Sequence, residues 1–500
     1  MNKNAKWISH PTAKDEAVYI RKTFNIENTP HTAKVDICGV GMYELYINGK
    51  KADDRMLTPP FTPYNRQVMY DTYEISHLLQ NGKNVIGIIL GGGFYNFTIN
   101  DMIGFDHSEW RGIPRLICEL SCNGESVVVS DTSFKMSLGA IVYNHIYIGE
   151  VYDARLEKPW AEVDFDDSDW VKPIISRPPG GVLEASDNMP IRITDIIDPV
   201  DSWQLEDGTR IYDFGKNMSG FVSLSGKGMP GTGVTFKYSE KLDPDTRDLD
   251  TSNISPYIFS DNFQTDTYIF GDKPADGWHP SFNYQGFRYV KVINEDNADI
   301  EIKAAFLRAD IKPAGFFRCS NDLINKIQDA AYQATISNFH YFPTECPHRE
   351  RLGWTGDAQV SAEQALYNLD IKDFYTQWLR MYPAAQRDSG HIPATIPRPG
   401  CCSADGFEGP VWDSAMFVIP WNIYMYTGDT RAVEAVYDAC KRYLDYAYTC
   451  SDNYIISIGN GDWPVYGDRF TSKEISVTGY YYINADYMYR FAKLLGRCED

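Results

Sequence analysis

The part of the chain richest in chemical groups is residues 343–357, which hold three carboxylates, two arginines, a histidine and a tryptophan. Prolines and glycines interrupt this stretch, which predicts a shaped loop rather than a helix or a strand. Loops held by a rigid scaffold are where binding and catalytic groups concentrate. We therefore expect the functional site to be organised around this loop.

Two other loops between predicted helices also place an indole beside a carboxylate. The loop spanning 383–410 runs into Trp412, and the loop spanning 449–475 contains Asp462 and Trp463. Indoles cover the apolar faces of a sugar ring, carboxylates bind its hydroxyls, and a protonated carboxyl can donate to the leaving oxygen of a glycoside. A single Asp–Trp pair is more often a surface acid beside a core tryptophan. Three such groupings in one helical region favour a glycosidase pocket.

Glu350 lies between Arg349 and Arg351. Neighbouring cations lower the pKa of a carboxyl group, whereas a general acid needs its pKa raised. A general-acid role for Glu350 therefore requires at least one arginine to turn towards another partner. It also requires Glu345 or Asp357 to supply negative charge nearby.

Metal, phosphate and thiol chemistry are less well supported by the sequence. His348 has no other ligand residue at a recognised metal-binding spacing, and Cys346 lacks the distant catalytic partner that a nucleophilic thiol requires. The aspartates within 164–169 lack the glycine and final glutamate of an EF-hand, so we expect a solvated turn there. The glycines at 91–93 lack the residues that follow in a phosphate-binding loop, so we expect a turn. We expect neither a metal nor a cofactor.

The composition excludes several other classes of protein. The formal net charge is −21 and Lys/Arg clusters are absent, which argues against a nucleic-acid partner. No apolar run approaches the ~20 residues of a membrane span, and the N-terminus lacks a signal-like apolar region. The ten cysteines form no Cys-x-x-Cys pair and include the adjacent Cys401 and Cys402, which favours reduced thiols in the cytoplasm. Trimming of the N-terminus would leave a secreted or periplasmic location open.

A chain of 500 residues exceeds one hydrophobic core, so we expect several domains. Residues 1–185 and 186–312 carry short strands separated by turns and predict two β-sandwiches. Asn48-Gly49 predicts a hairpin, and residues 84–90 predict a buried strand. The helical period begins after residue 312, so 313–500 predicts paired helices.

Several boundaries in the helical region can be predicted from particular residues. Ser320 can cap a first helix whose apolar face carries Leu323, Ile324 and Ile327. Gly428 and Thr430 predict the end of one helix and the beginning of the next. Further helices are predicted near 357–369, 371–382, 411–427, 430–448 and 477–496.

Residues 344–359 resemble the signature of the α-L-rhamnosidases of glycoside hydrolase family 78. Five other segments are similar to the same family: 43–49, 149–155, 284–290, 411–421 and 461–463. The resemblance implies β-sandwich domains followed by an (α/α)6 barrel, that is, a six-hairpin glycosidase. It also implies inverting hydrolysis of terminal α-L-rhamnose, with rhamnose-containing carbohydrates as substrates. A bacterial source and a homodimer agree with this interpretation.

The resemblance also implies roles for individual residues. Glu350 corresponds to the general acid, and seven residues correspond to the rhamnose pocket: Glu345, Arg349, Trp354, Asp357, Trp412, Asp462 and Trp463. The family more often has Asp at position 345, and it has two consecutive acids where this chain has Glu350 alone. The additional methylene of Glu345 would move its carboxylate by roughly 1.5 Å.

An (α/α)6 barrel requires twelve helices, and the sequence predicts about six before Asp500. The general base of the family is expected beyond this residue. We therefore expect a chain truncated within its barrel, inactive alone and with exposed apolar helix faces. Three alternatives remain open: another inverting (α/α)6 glycosidase, a phosphorylase, or a carbohydrate-binding protein without catalysis.

Overall fold

The computed structural model describes residues 2–252, 257–294, 296–399, 409–463, 471–497 and 499–500. It divides into two compact units: Met1–Arg308 with Pro347–Arg349, and Ala309–Cys346 with Glu350–Asp500. The predicted pair Cys401 and Cys402 and most of the 383–410 loop tip lie outside the described residues. None of the described helices is both long and apolar enough to cross a membrane.

The first unit consists mainly of β-strands. The strands up to residue 185 are β1 (Ile8–Ser9), β2 (Val18–Ile26), β3 (Ala33–Val40), β4 (Met42–Ile47), β5 (Lys50–Lys51), β6 (Gln67–Glu74), β7 (Gly82–Gly91), β8 (Arg115–Cys122), β9 (Glu125–Val129), β10 (Lys135–Leu138), β11 (Ile141–His145), β12 (Gly149–Asp153), β13 (Ile174–Ile175) and β14 (Val182–Ala185). The later strands are β15 (Ile191–Ile197), β16 (Asp201–Gln204), β17 (Arg210–Lys227), β18 (Gly233–Ser239), β19 (Lys241–Leu242), β20 (Leu249–Asp250), β21 (Thr265–Ile269), β22 (Ala275–Trp278), β23 (Gln285–Ile293) and β24 (Asp299–Ala309). Short 3-10 helices cover Ser76–Leu78, Phe105–His107 and Ala154–Leu156.

Two sheets of the first unit form a β-sandwich. One has the order β13-β1-β8-β3-β6-β14 with β9 added to β8, and the other has the order β10-β2-β7-β4-β5. Their apolar side chains share one buried core. The predicted buried strand 84–90 is confirmed, because it lies within β7 between β2 and β4. The predicted hairpin is also confirmed, because Asn48 and Gly49 have positive φ angles and join Ile47 to its partner Lys50.

A ten-stranded sheet forms the rest of the β structure, in the order β11-β12-β21-β18-β23-β17-β24-β15, with β16 and β22 paired to β17. Strand β12 joins it through parallel pairing, with Val151 opposite Thr267. Strands from both sides of residue 185 therefore belong to one sheet.

The turn predicted within 164–169 is confirmed, but one of its aspartates points inward. The almost fully buried Arg21 forms an ion pair with Asp167 and donates to the carbonyl oxygens of Phe165 and Glu162 at 3.1 and 2.9 Å. The expectation of a wholly solvated turn is corrected by this pairing. A buried guanidinium needs acceptors, and this turn supplies them.

The second unit is helical in its described residues. Its helices are α1 (Asp322–Ser337), α2 (Thr355–Asn368), α3 (Lys372–Leu379), α4 (Tyr382–Ala385), α5 (Pro410–Asp413), α6 (Ala415–Thr427), α7 (Arg431–Thr449) and α8 (Lys473–Leu494). The predicted helix 371–382 is interrupted between α3 and α4, and the predicted helix 411–427 is interrupted between α5 and α6. The final helix begins four residues earlier than predicted.

The junction between α6 and α7 agrees with the sequence. Gly428 ends α6 with a left-handed φ of 73°, and Thr430 is the residue before α7. The N-cap of α1 does not agree, because the side chain of Asn321, rather than Ser320, accepts the N–H groups of Leu323 and Ile324. The predicted apolar face of α1 lies in solvent, with Leu323 and Ile327 at 66% and 60% exposure.

The loop between α1 and α2 is tied to residues 394–396 by backbone hydrogen bonds. Thr355 N–H donates to the Ala394 carbonyl at 2.9 Å, and Ile396 N–H donates to the Gly353 carbonyl at 2.9 Å. Gly353 permits this close approach, because a Cβ atom there would lie 2.1 Å from the carbonyl oxygen of Ile396. The absence of a side chain at residue 353 therefore fixes where the loop meets α2.

Replacing Gly353 with alanine should destabilise the second unit by about 1–3 kcal/mol, because the loop and the 394–396 segment must move apart. The measurement is thermal unfolding followed by circular dichroism. Gly479→Ala on α8 is the matched control, since no atom lies within 4 Å of its Cβ position. That variant should be neutral or gain up to ~1 kcal/mol of helix propensity. Equal stability of the two variants would contradict the proposed contact.

Candidate active site

The two ends of the loop carrying the predicted site are bonded to each other within the second unit. Glu345 N–H donates to the Leu352 carbonyl at 3.3 Å, and Leu352 N–H donates to Glu345 Oε2 at 3.0 Å. The loop is anchored to the end of α1 by Thr344, whose N–H and hydroxyl both donate to the carbonyl of Asn338. These bonds hold Glu345 beside Leu352 and place Glu350 near the end of a short closed segment.

The carboxyl group of Glu350 is positioned by a tryptophan. Its Oε2 atom accepts a hydrogen bond of 2.8 Å from the indole N–H of Trp354, and its side chain is buried. Trp354 precedes α2 but makes no capping bond to the helix, so its side chain is available for this contact. The backbone N–H of Glu350 donates to Cys346 Sγ at 3.4 Å. The predicted general acid therefore has a fixed orientation, although the sequence did not reveal its indole partner.

The predicted neighbouring carboxylates are close enough to affect one another. Burial, followed by the charge of Glu350, raises the pKa of Glu345 to about 8. Asp357 lies on the first turn of α2, where partial loss of hydration and the charge of Glu350 also raise its pKa. Of these two residues, only Asp357 can supply the negative charge that the sequence-based hypothesis requires beside Glu350. At neutral pH, Glu345 carries a proton for most of the time.

The two arginines flanking Glu350 have different environments. The guanidinium of Arg349 lies 5.4 Å from the centroid of the Tyr257 ring, a cation–π contact within the first unit. Arg351 is fully buried and has a φ of +53°, which is uncommon for a residue with a side chain. The contact of Arg349 with Tyr257 is the kind of alternative partner that the general-acid hypothesis requires.

Cys346 supports a carboxyl group rather than acting as a nucleophile. Its thiol donates to Glu345 Oε1 at 2.7 Å. Burial, followed by the charge of Glu345, raises the pKa of this thiol well above its usual value, so that it stays protonated and unreactive. The adjacency of Cys346 to Glu345 was the one available sequence signal for this role.

His348 makes contacts of a structural kind within the first unit. Its Nδ1 atom accepts the N–H of Arg349 at 2.7 Å, and its Nε2 atom lies 3.4 Å from Glu240. The backbone of Gly286 approaches closely, since a Cβ there would lie 2.9 Å from His348. The ring is therefore held on two sides by protein groups.

Trp412 packs against the first turn of α2. A Cβ atom on Gly356 would lie 2.8 Å from the indole, so the glycine of the motif makes room for the ring. The indole is buried, and its Nε1 atom has no hydrogen-bond partner among the described residues. Trp412 therefore lies next to the residue that precedes Asp357.

Asp462 and Trp463 are not brought to the Glu350 loop by the contacts of the described residues. Both side chains are exposed, and that of Trp463 is 72% exposed. The preceding Gly461 packs near Lys473 and Ser476 at the beginning of α8. Their predicted place in the pocket remains a prediction.

Three family models match consecutive parts of the chain. They describe the N-terminal domain of α-L-rhamnosidases (residues 28–195), the concanavalin-like domain of bacterial α-L-rhamnosidases (203–308) and the six-hairpin glycosidase domain of bacterial α-L-rhamnosidases (312–500). The chain belongs to the α-L-rhamnosidases of glycoside hydrolase family 78. The expected order of β-rich domains followed by a six-hairpin glycosidase domain is thereby confirmed.

Individual relatives agree with this family. An α-L-rhamnosidase of Formosa agariphila is 34% identical over 96% of this chain and 53% of its own length. One from Alteromonas sp. is 30% identical over 89% of this chain and 48% of its own length. The chain thus spans about half the length of these curated relatives.

Solved rhamnosidase structures share the same fold. That of the Dictyoglomus thermophilum α-L-rhamnosidase has a TM-score of 0.89 at 34% identity and covers 99% of this chain and 57% of that one. The Streptomyces avermitilis α-L-rhamnosidase, solved in complex with L-rhamnose, has a TM-score of 0.89 at 27% identity and covers 97% of this chain and 47% of that one.

The pKa of Glu345 should make the stability of this chain depend on pH. Folding raises the pKa of Glu345 from 4.5 to about 8, so the folded state binds this proton more tightly than the unfolded state. The resulting contribution to stability is fully present below pH 4.5 and is lost as the pH rises to about 8. The side chain of Glu345→Gln cannot lose a proton, so the variant lacks this pH-dependent loss of stability. Its free energy of unfolding, relative to that of the wild type, should therefore increase over this pH range by up to a few kcal/mol. Urea unfolding at about pH 5 and about pH 8 measures the difference.

The exposed Glu434 on α7 provides the control, because Glu434→Gln makes the same chemical change away from the carboxyl cluster. Its stability difference from the wild type should vary little with pH. A pH dependence of Glu345→Gln no larger than that of Glu434→Gln would contradict the raised pKa of Glu345.

Proposed function

We propose that the protein containing this chain hydrolyses terminal non-reducing α-L-rhamnose from rhamnosides with inversion, and that Glu350 is the general acid. The observation that carries the proposal is the hydrogen bond from Trp354 to the buried carboxyl of Glu350 inside a loop that also holds Glu345. A general acid must be oriented towards the leaving oxygen, and the indole N–H provides this orientation. Family membership and the relative solved with L-rhamnose support the sugar.

The other proposed substrate-binding residues are Glu345, Arg349, Trp354, Asp357, Trp412, Asp462 and Trp463. Glu345 is a poor general base near neutral pH, because its raised pKa keeps it protonated while a base must be ionised. We therefore assign it to substrate binding. The second carboxylate that inversion requires is not assigned to a described residue of this chain.

We also propose a three-domain division at 1–185, 186–312 and 313–500, in which β11 and β12 of the first domain pair into the sheet of the second. We further propose a bacterial source, a cytoplasmic location and a homodimer. The bacterial relatives support the source. The free thiols of the seven described cysteines, from Cys38 to Cys450, support a reducing compartment. The extensive β-surfaces support self-association, which light scattering can measure.

Replacing Glu350 with glutamine should lower kcat on an alkyl α-L-rhamnoside by about 10²–10⁴-fold, because the amide cannot donate the proton that the alcohol leaving group requires. The assay uses the product of the complete coding sequence that contains this chain, and chiral analysis of the released sugar tests inversion. Glu434→Gln should keep wild-type activity. Lack of hydrolysis by the intact protein would reject the enzyme, whereas equal activity of Glu350→Gln would reject the role of Glu350.

Replacing Trp354 with phenylalanine should retain an aromatic surface while removing the N–H donor to Glu350. We expect kcat to fall by up to roughly tenfold with a smaller change in KM, since one hydrogen bond to a neutral carboxyl group contributes about 0.5–1.5 kcal/mol. Steady-state kinetics on the same substrate measure both constants. An increase in KM alone would mean that Trp354 only binds the sugar and does not position the acid.

A further inference from the structure

A cleft in the first unit has the features of a second ligand site. Its volume is about 730 Å³, within the ~300–1,000 Å³ usual for small-molecule sites. All of its lining residues belong to the first unit, whereas Glu350 belongs to the second. The feature its walls share is aromatic rings, chiefly those of Tyr19, Tyr46, Tyr152, Trp160 and Trp278.

The five-stranded sheet contributes the first group of rings. Trp160 packs edge-on against Tyr19 and Tyr46, with ring centroids 5.1 and 5.4 Å apart. Two glycines make this packing possible. A Cβ on Gly87 would lie 2.7 Å from the Trp160 ring, and a Cβ on Gly139 would lie 2.4 Å from the Tyr19 ring. The backbone is therefore shaped around these rings, which fixes their place at the cleft.

The ten-stranded sheet contributes the second group. Tyr152 on β12 and Trp278 on β22 lie 5.8 Å apart between ring centroids. Tyr268 packs behind both, stacked on Tyr152 and tilted against Trp278. Both cleft-lining rings are half-buried, so each retains accessible surface. The cleft thus has rigid aromatic surfaces from two different sheets.

Polar groups at fixed positions accompany the rings. The Glu44 carboxylate accepts a hydrogen bond of 2.7 Å from the Lys51 ammonium and one of 2.6 Å from the Tyr46 hydroxyl. Burial opposes its ionisation, but Lys51 and the Tyr46 hydroxyl outweigh burial and lower the pKa of Glu44. Burial lowers the pKa of His279, which favours a neutral ring at pH 7, and its Nδ1 lies 3.0 Å from the Pro280 carbonyl. The donors and acceptors of the cleft are therefore held in place before any ligand arrives.

The charges lining the cleft nearly balance, with Glu16, Glu44 and Glu157 against Lys51 and Lys158. A strongly anionic ligand would meet no net positive field, and a purely apolar ligand would strip water from the Glu44–Lys51 pair without replacing it. A neutral sugar meets both demands, because its C–H faces pack on aromatic rings while its hydroxyls bond to carboxylate and ammonium groups. Well-packed protein cores leave few voids larger than a water molecule, so rings that merely filled a core would not border a space of this size.

We propose that this cleft binds a neutral carbohydrate of one or two pyranose rings, independently of the candidate active site. The proposal uses only groups of the first unit and does not depend on rhamnosidase activity. Trp160 and Trp278 provide the stacking surfaces, and the Glu44–Lys51 pair binds hydroxyls. Binding here would hold a glycan to the protein while another part of that glycan is processed.

The test is isothermal titration of the complete protein that contains this chain with methyl α-L-rhamnopyranoside, cellobiose and galactobiose, with digalacturonic acid as an anionic comparison. We expect at least one neutral sugar to bind. Trp278→Ala should weaken that binding by at least tenfold, whereas Trp203→Ala should not. Trp203 is a half-buried tryptophan of the same unit outside the cleft, with Arg247 over its ring.

Two further variants make the result interpretable. Leu138→Trp adds a bulky ring at an exposed position on the cleft wall, so it should block binding without removing a core residue, even if Trp278→Ala fails to fold. Trp354→Ala alters the candidate active site and should leave cleft binding intact. The proposal is overturned if none of the neutral sugars binds, if digalacturonic acid binds more tightly than all of them, or if binding is lost in Trp354→Ala and kept in Leu138→Trp.

Discussion

The hydrogen bond from the Trp354 indole to the Glu350 carboxyl depends on how the loop between α1 and α2 is closed. The bonds between Glu345 and Leu352 define one end of this closure, and the contact of Gly353 with the 394–396 segment defines where α2 begins. Trp354 stands directly before α2, so the orientation of its ring follows from these constraints. The carboxyl cluster is thus a product of backbone geometry as much as of side-chain charge.

The same closure explains how Glu345 and Glu350 are tolerated close together, whereas Asp357 is exposed. A carboxylate that loses water without gaining partners is costly, and two close together repel each other. The protein reduces this cost by keeping a proton on Glu345 and by giving its oxygens two donors, the Cys346 thiol and the Leu352 N–H. Glu350 receives the indole N–H. Glu345 is therefore stabilised by a proton and two donors, whereas Glu350 is stabilised by the indole N–H.

Local signals in the sequence were sufficient for much of the fold. Asn48-Gly49, Gly428 and the apolar run in β7 each act over a few residues, so their structural effect could be predicted without knowing the rest of the chain. The partners of Arg21 and of Trp412 could not be predicted, since Asp167 is 146 residues from Arg21 and Gly356 contacts Trp412 from a different helix. Ser320 and Asn321 are both good caps, and only the exact start of α1 decides between them. In the site, the clustering of acids could be predicted from the sequence. The hydrogen bonds from the Trp354 indole and the Cys346 thiol are seen only in the folded structure.

The parallel pairing of β12 with β21 has a consequence for synthesis of the chain. Val151 leaves the ribosome more than a hundred residues before its partner Thr267, so the ten-stranded sheet cannot be completed as its first strands emerge. Pairings between distant segments form slowly, because a long loop must close before the contact is gained. Until then, β12 has one neighbour, β11, and its other edge can pair with another nascent chain. Translation speed between these two strands and the availability of chaperones should therefore govern the yield of native protein.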